Sequence, residues 1–159
     1  EDEAVLHGWH RSFCLWLYGF RGTPEVPGLM MAIDRGGACR GLIFTLPRGD
    51  KAAQLDALLR REMPFTPPGN LPLWVRPQTA RGRVASLAFV ANRASPRYAA
   101  RPDREEVAEV LARACGYGGS GADYLLQTVS HLEARGIRDS LLWHLQHRVA
   151  ARIEAAMRG

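Results

Sequence analysis

Val5-Leu-His-Gly-Trp-His-Arg-Ser-Phe-Cys-Leu-Trp-Leu17 is the stretch on which the fold turns. On a period of two, Trp9, Phe13 and Leu15 fall on one face and Cys14 and Trp16 on the other, and a strand that is apolar on both sides belongs inside a sheet rather than at its edge. Outward from it, Leu29-Met-Met-Ala-Ile-Asp34 and Cys39-Arg-Gly-Leu-Ile-Phe-Thr-Leu46 flank Arg35-Gly-Gly37, a turn signal that predicts an antiparallel hairpin. Pro47 ends the second arm. Asp50 then supplies an N-cap acceptor for a helix running to Glu62, and Pro64 with Pro67-Pro68-Gly69 closes that helix into a loop. Further strands are predicted over residues 73–76 and 83–91, split by a turn through Thr79-Ala-Arg-Gly82.

The last third changes period. Asp103 with Glu106 three residues on is a capping pattern, Val107, Val110 and Leu111 form an apolar stripe, and Gly116 is the expected stop. After the loop Gly118-Gly-Ser-Gly121, a second helix presents Tyr124, Leu125, Thr128, Val129 and Leu132, and ends at Gly136. A third starts at Asp139, repeats Leu142, Leu145, Val149 and Ile153, and closes at Arg158-Gly159. Strands followed by helices predict the α+β class. There is no internal repeat and no low-complexity tract.

The chain has 159 residues, 47% hydrophobic and 23% charged, enough for one domain over 1–159 with a sizeable core. It contains no apolar run of membrane-spanning length and no secretory signal pattern. Cys14, Cys39 and Cys115 are odd in number and form no Cys-x-x-Cys pair, so they are expected to be reduced and mostly packing residues. The net charge of +5 raises nucleic acid as a partner. Its arginines, however, are dispersed and interleave with acids in Arg101-Pro-Asp-Arg-Glu-Glu106 and Arg135-Gly-Ile-Arg-Asp139, with no basic run to follow a phosphate backbone. No nucleic-acid partner is expected.

Among chemical groups, Glu62 stands out. In Asp50-Lys-Ala-Ala-Gln-Leu-Asp-Ala-Leu-Leu-Arg-Arg-Glu-Met63 it shares a helical face with Leu55, Leu58 and Leu59, where burial would raise a carboxyl pKa and suit it to proton transfer. The alternative is a helix-end carboxylate that reaches water and pairs with Arg60 or Arg61. His7 with His10 and His144 with His147 lack the spacing of a zinc helix, and His7 and His10 point to opposite strand faces. Cys14 lies between Phe13 and Leu15 as a packed thiol. Ser120 departs from Gly-x-Ser-x-Gly, and its loop lacks the phosphate-cradle spacing, which leaves a helix-entry loop.

The blocks Leu6-His-Gly-Trp-His-Arg-Ser-Phe-Cys-Leu-Trp16, Arg21-Gly-Thr-Pro-Glu-Val-Pro-Gly-Leu29, Cys39-Arg-Gly-Leu-Ile-Phe44, Leu59-Arg-Arg-Glu-Met63, Ala88-Phe-Val-Ala-Asn92, Pro96-Arg-Tyr98, Ala122-Asp-Tyr-Leu125 and Gly136-Ile-Arg-Asp139 follow one another in an order that resembles the ChaC-like family of glutathione-specific γ-glutamylcyclotransferases. Each block alone is unspecific; the ordered series covers nearly the whole chain. The resemblance implies a small mixed or antiparallel β-barrel with flanking helices. It also implies a cytoplasmic lyase that cyclises the γ-glutamyl part of glutathione to 5-oxoproline and frees cysteinylglycine, with no cofactor and no metal. It makes Glu62 the general acid and base. It places Arg21, Gly22 and Thr23 beside the pocket, with Arg21 set to meet a substrate carboxylate, and adds the Tyr124 hydroxyl. Without it, Arg21 reads as a turn residue and Tyr124 as core.

Three departures go with the resemblance. The family's opening strand and Tyr-Gly-Ser-Leu-like loop, which holds the γ-glutamyl group, have no counterpart here, so the chain is expected to lack its first strand and substrate loop. Leu17 and Phe20 replace a Ser and a His. The stretch Pro64-Phe-Thr-Pro-Pro-Gly-Asn-Leu-Pro-Leu-Trp74 lacks the usual Tyr and Arg ahead of its Trp. A domain of the same fold that binds another γ-glutamyl compound or a protein without catalysis is the alternative reading. The oligomeric state is left open.

Overall fold

Two strands of sixteen residues, β1 (Asp2–Leu17) and β2 (Gly28–Ile43), are neighbours in the middle of a six-stranded sheet. The computed structural model describes residues 1–100 and 102–158. Four short strands complete the sheet: β3 (Asn70–Val75), β4 (Gln78–Thr79), β5 (Gly82–Arg83) and β6 (Ser86–Ala91), in the order β3-β6-β2-β1-β4-β5. β6 runs parallel to β2, with Ile33 opposite Val90, while β3 is antiparallel to β6 from Asn70↔Ala91 to Val75↔Ser86. On the other side β1 pairs antiparallel with β4 through Ala4↔Thr79. The sheet is therefore mixed, and it curls into a half-barrel.

The internal position of β1 agrees with its two-sided apolarity. The hairpin expected around Arg35-Gly-Gly37 does not form: β2 continues through it as one strand. Gly36 and Gly37 have φ of 113° and 65°, and the kink they allow is met by His10 Nδ1 at 3.0 Å from the Gly36 carbonyl oxygen. Two glycines that signal a turn thus serve as a local bend inside a strand, in the manner of a bulge. The tight turn is instead at Thr79-Ala-Arg-Gly82, as expected, between β4 and β5, with Gly82 at φ 107°. Val84 and Ala85 interrupt the strand foreseen over 83–91.

Three helices start at the predicted caps Asp50, Asp103 and Asp139, and the helix after the loop at 118–121 starts at Ser120, which the sequence marks only as a helix entry. Asp50 Oδ1 accepts from Ala52 and Ala53 N–H at the head of α1 (Lys51–Glu62). Asp103 accepts from Glu106 N–H before α2 (Arg104–Arg113), and Ser120 Oγ from Asp123 N–H before α3 (Gly121–Glu133). Asp139 accepts from Leu141 and Leu142 N–H at α4 (Ser140–Arg158). Such caps contribute about 1 kcal/mol each. Gly136, φ 64°, closes α3 while Ile137 N–H reaches back to the Leu132 carbonyl. Gly116 is not the stop of α2. That helix ends at Ala114, and Gly116 lies in a two-residue strand β7 (Cys115–Gly116) paired with β8 (Gly119–Ser120). The cap expected at Arg158-Gly159 involves Gly159, outside the described residues.

The chain forms two compact units, residues 1–12 with 32–98 and residues 13–31 with 99–159. In the second, Phe13, Leu29, Leu111, Leu125, Leu142, Leu145 and Val149 make a dry core on which Trp16 and Tyr124 pack. The stripes predicted for α2, α3 and α4 face it. In the first, α1 has no buried residue. Leu55, Leu58 and Leu59 are only half-covered, so the buried face expected for this helix is a partial one. Asp34 is the buried charge there, 4% exposed, held by Arg93 Nε and Tyr98 Oη at 2.8 Å each and by Arg35 N–H. Cys14 and Cys39 are buried reduced cysteines, and Cys115 is exposed. Among the described residues no helix is long and apolar enough to cross a membrane.

Candidate active site

Glycines build the cluster around Arg21 in the second unit. Residues 18–27, between β1 and β2, close on themselves where Gly22 meets Gly28: a Cβ on Gly22 would lie 2.2 Å from the Gly28 nitrogen. Thr23 N–H donates to the Val26 carbonyl and Thr23 Oγ1 accepts from Val26 N–H, which fixes the tip. The β7–β8 hairpin lies against this loop. Tyr117 and Gly118 N–H donate to the Gly19 and Phe20 carbonyls at 3.2 and 2.8 Å. Any Cβ on Gly116 would come within 2.0 Å of the Gly19 carbonyl oxygen. Backbone meets backbone here, and only glycine permits it.

This contact sets the position of Arg21. Its guanidinium lies over the Phe20 ring at 5.1 Å and over the Tyr124 ring at 5.4 Å, and its NH1 donates to the Ser120 carbonyl at 3.3 Å. Half-buried, it has no carboxylate partner among the described residues, and most of its five N–H donors are left for a ligand. Tyr124 projects from the first turn of α3, with Phe13 edge-on at 5.8 Å. Burial raises the pKa of its phenol above the ordinary value, against a backbone hydrogen bond from Met31 and the charge of Arg21. The hydroxyl is therefore a neutral donor across the physiological range. The structure thus brings Arg21, Gly22, Thr23 and Tyr124 into one cluster.

Glu62 belongs to the first unit. It is the last residue of α1, with its side chain 28% exposed. Arg61 takes Oε1 through Nε at 2.8 Å and NH2 at 2.7 Å, leaving Oε2 without a partner among the described residues. Asn70 Nδ2 donates to the Glu62 carbonyl at 3.4 Å and ties the end of the helix to the start of β3, while Asn92 Nδ2 holds the Pro68 carbonyl at 2.9 Å. A concavity of about 350 Å³ on the same unit is lined by Leu46, Pro47, Gln54, Ala57, Leu58 and Arg61. Glu62 is not part of that lining.

Two contributions escaped the sequence reading. Ser120, read only as helix entry, supplies the carbonyl that seats Arg21, and a backbone acceptor leaves no mark in residue type. In the sequence Asn70 is one residue of a stretch lacking the expected Tyr and Arg. Its Oδ1 is buried without a partner.

The model of the family described as "ChaC-like protein" matches residues 1–152. A glutathione-specific γ-glutamylcyclotransferase from Escherichia coli (strain K12) is 34% identical over 137 residues, which are 86% of this chain and 58% of that protein. The chain thus spans somewhat over half the length of this curated relative. Two crystal structures of a glutathione-specific γ-glutamyl cyclotransferase from yeast, one of them selenomethionine-labelled, superpose with TM-scores of 0.81 and 0.80 at 16% and 17% identity. They cover 96% and 94% of this chain and 90% and 87% of theirs. The architecture is that of the γ-glutamylcyclotransferase-like fold. With a family match over nearly its whole length, the chain belongs to the ChaC-like protein family.

Proposed function

We propose that the protein is a γ-glutamylcyclotransferase that converts glutathione to 5-oxoproline and cysteinylglycine, working as a single domain in the cytoplasm, with Glu62 as general acid and base. The observation that carries this reading is the family match over residues 1–152, which takes in Leu59-Arg-Arg-Glu-Met63, together with 34% identity to a relative named for that activity. The α-amino nitrogen of the γ-glutamyl residue attacks its own side-chain amide carbon, forming the ring C–N bond as the bond to the departing nitrogen breaks. The attacking ammonium must lose a proton, and the leaving nitrogen must gain one. One carboxylate can carry that proton between them. With Oε1 taken by Arg61, Oε2 is the atom free to do so. Nucleophile and electrophile share one molecule, so orientation rather than encounter is what the protein supplies.

Arg21 and the neutral hydroxyl of Tyr124 serve binding in this reading, with Gly22 and Thr23 holding the loop in shape. The test is 5-oxoproline release from glutathione by the full-length protein, beside a Glu62→Gln variant. The substitution is expected to lower kcat by about 10² to 10⁴, the usual worth of a positioned acid-base group, with the fold intact. A folded wild type that releases no 5-oxoproline removes the proposal.

A further inference from the structure

Helix α1 carries Glu62 at its end, yet no residue of that helix is buried, so packing alone does not fix where the carboxylate stands. The further constraint lies in the chain that follows. Residues 63–69 leave the helix and lead to Asn70, the first residue of β3. Two asparagines close the base of this loop. Asn92 holds its far side, donating from Nδ2 to the Pro68 carbonyl at 2.9 Å and from its backbone N–H to the Gly69 carbonyl at 2.8 Å. Asn70 is paired with Ala91 of β6, and its Nδ2 donates to the Glu62 carbonyl at 3.4 Å. The Asn92 bonds fix the loop to the sheet, and the Asn70 amide ties the sheet to the helix end.

We infer that Asn70 is the positioning residue of Glu62, holding the last turn of α1 so that the carboxylate stands where the proton transfers need it. This deepens the proposed activity and rests on it. Asn70 is 7% exposed, and its Oδ1 is buried without a hydrogen-bond donor. An interior amide left half-satisfied costs stability, whereas an apolar side chain of similar size at the same place does not. The bond this amide does make is to Glu62. Its orientation follows from that bond, since reversing the amide would set Oδ1 against the Glu62 carbonyl oxygen. The last carbonyls of a helix have no partner within it. Here Met63 N–H takes the Leu59 carbonyl at 2.9 Å and Asn70 takes that of Glu62, a donor placed at the negative end of the helix. The Arg97 guanidinium, 3.8 Å from the centre of the Phe65 ring, gives the chain leaving Glu62 a second hold. All of these residues lie in the first unit.

The test introduces Asn70→Leu into the full-length protein, alone and together with Glu62→Gln. With Glu62 present, kcat for 5-oxoproline release from glutathione should fall about tenfold to a hundredfold, the cost of misplacing a reacting group by about an ångström, while KM stays within about twofold. In the Glu62→Gln background the same change should cost nothing further, because the carboxylate it displaces is already gone. Asn70→Gln, which keeps the donor on a longer arm, should recover part of kcat, and Asn70→Ala repeats the comparison should leucine not fit. Amide hydrogen exchange reads the clamp without turnover: Asn70→Leu should speed exchange at Met63 about tenfold and leave the amides of β6 and α2 at their wild-type rates. A merely structural Asn70 lowers kcat by the same factor in both backgrounds, or speeds exchange in α1 and β6 alike, and either result overturns the inference. Unchanged exchange at Met63 overturns it as well. Loosening confined to Met63, in a protein whose wild type releases no 5-oxoproline, removes the proposed activity and leaves the clamp on Glu62 standing.

Discussion

At the scale of single residues, two carboxylates sit in opposite surroundings, Glu62 half-exposed at a helix end and Asp34 enclosed. Glu62 stands in a block that recurs in family order, and of the two surroundings its spacing allows, the structure has the helix end beside Arg61, because its half-burial depends on what packs over α1. Asp34 shows the converse. It is an unremarkable acid in the chain and the most deeply buried one in the fold, because its partners Arg93 and Tyr98 lie about sixty residues further along. Burial works to raise its pKa, but hydrogen bonds from Arg93, Tyr98 and the Arg35 N–H, with the charge of Arg93, outweigh that and hold it below the ordinary 3.8. Asp34→Asn keeps the shape and removes the charge, and it should cost about 1–3 kcal/mol in denaturant unfolding. An unchanged midpoint would mean that the cluster contributes nothing net.

Among the elements, helices were read well and glycine pairs poorly. Asp50, Asp103, Ser120 and Asp139 each cap a helix through a bond made within three residues, a local rule that sequence can hold. Gly36-Gly37 and Gly116 serve non-local purposes, the first a kink against His10 and the second a close approach to the Gly19 carbonyl. Sequence marks such glycines without saying which neighbour requires them. The two hairpin glycines also predict unequal outcomes. A Cβ on Gly116 collides with backbone that cannot move aside, whereas one on Gly118 meets the Phe20 ring, which can turn. Gly116→Ala should destabilise by about 1–3 kcal/mol and displace Arg21, raising the KM for glutathione, while Gly118→Ala should do less of both. Thermal melts with paired kinetics decide, and equal effects would contradict this account.

For the molecule as a whole, two ionisable groups set opposite limits on stability. Because the folded pKa of Asp34 lies below its ordinary value, the unfolded chain binds more protons as the solution is acidified. The stability that Asp34 contributes is therefore fully present above about pH 3.8 and is lost as pH falls through its lower folded pKa. Tyr124 acts at the other end. Its folded pKa lies above the ordinary 10.0, so the unfolded chain releases its proton first and stability falls as pH rises past 10. Melting temperatures across pH should show both limbs, the acid one flattened by Asp34→Asn and the alkaline one by Tyr124→Phe. Limbs that ignore these substitutions would assign them to other groups. Neither limit was readable from composition, which gives a net charge but not which acid is enclosed. The interleaving of the two units, each assembled from two separate stretches of chain, was equally beyond it.

Twenty arginines accompany a single lysine, and that lysine, Lys51, is the exposed first residue of the helix whose last residue is Glu62. Once the α-amino terminus is blocked, an amine-reactive fluorophore will therefore modify just one group, at the opposite end of α1 from the carboxylate, about 16 Å away at the helical rise of 1.5 Å per residue. The chain carries its own attachment point for an optical ruler, and ligand arrival near Glu62 can be followed without engineering a cysteine.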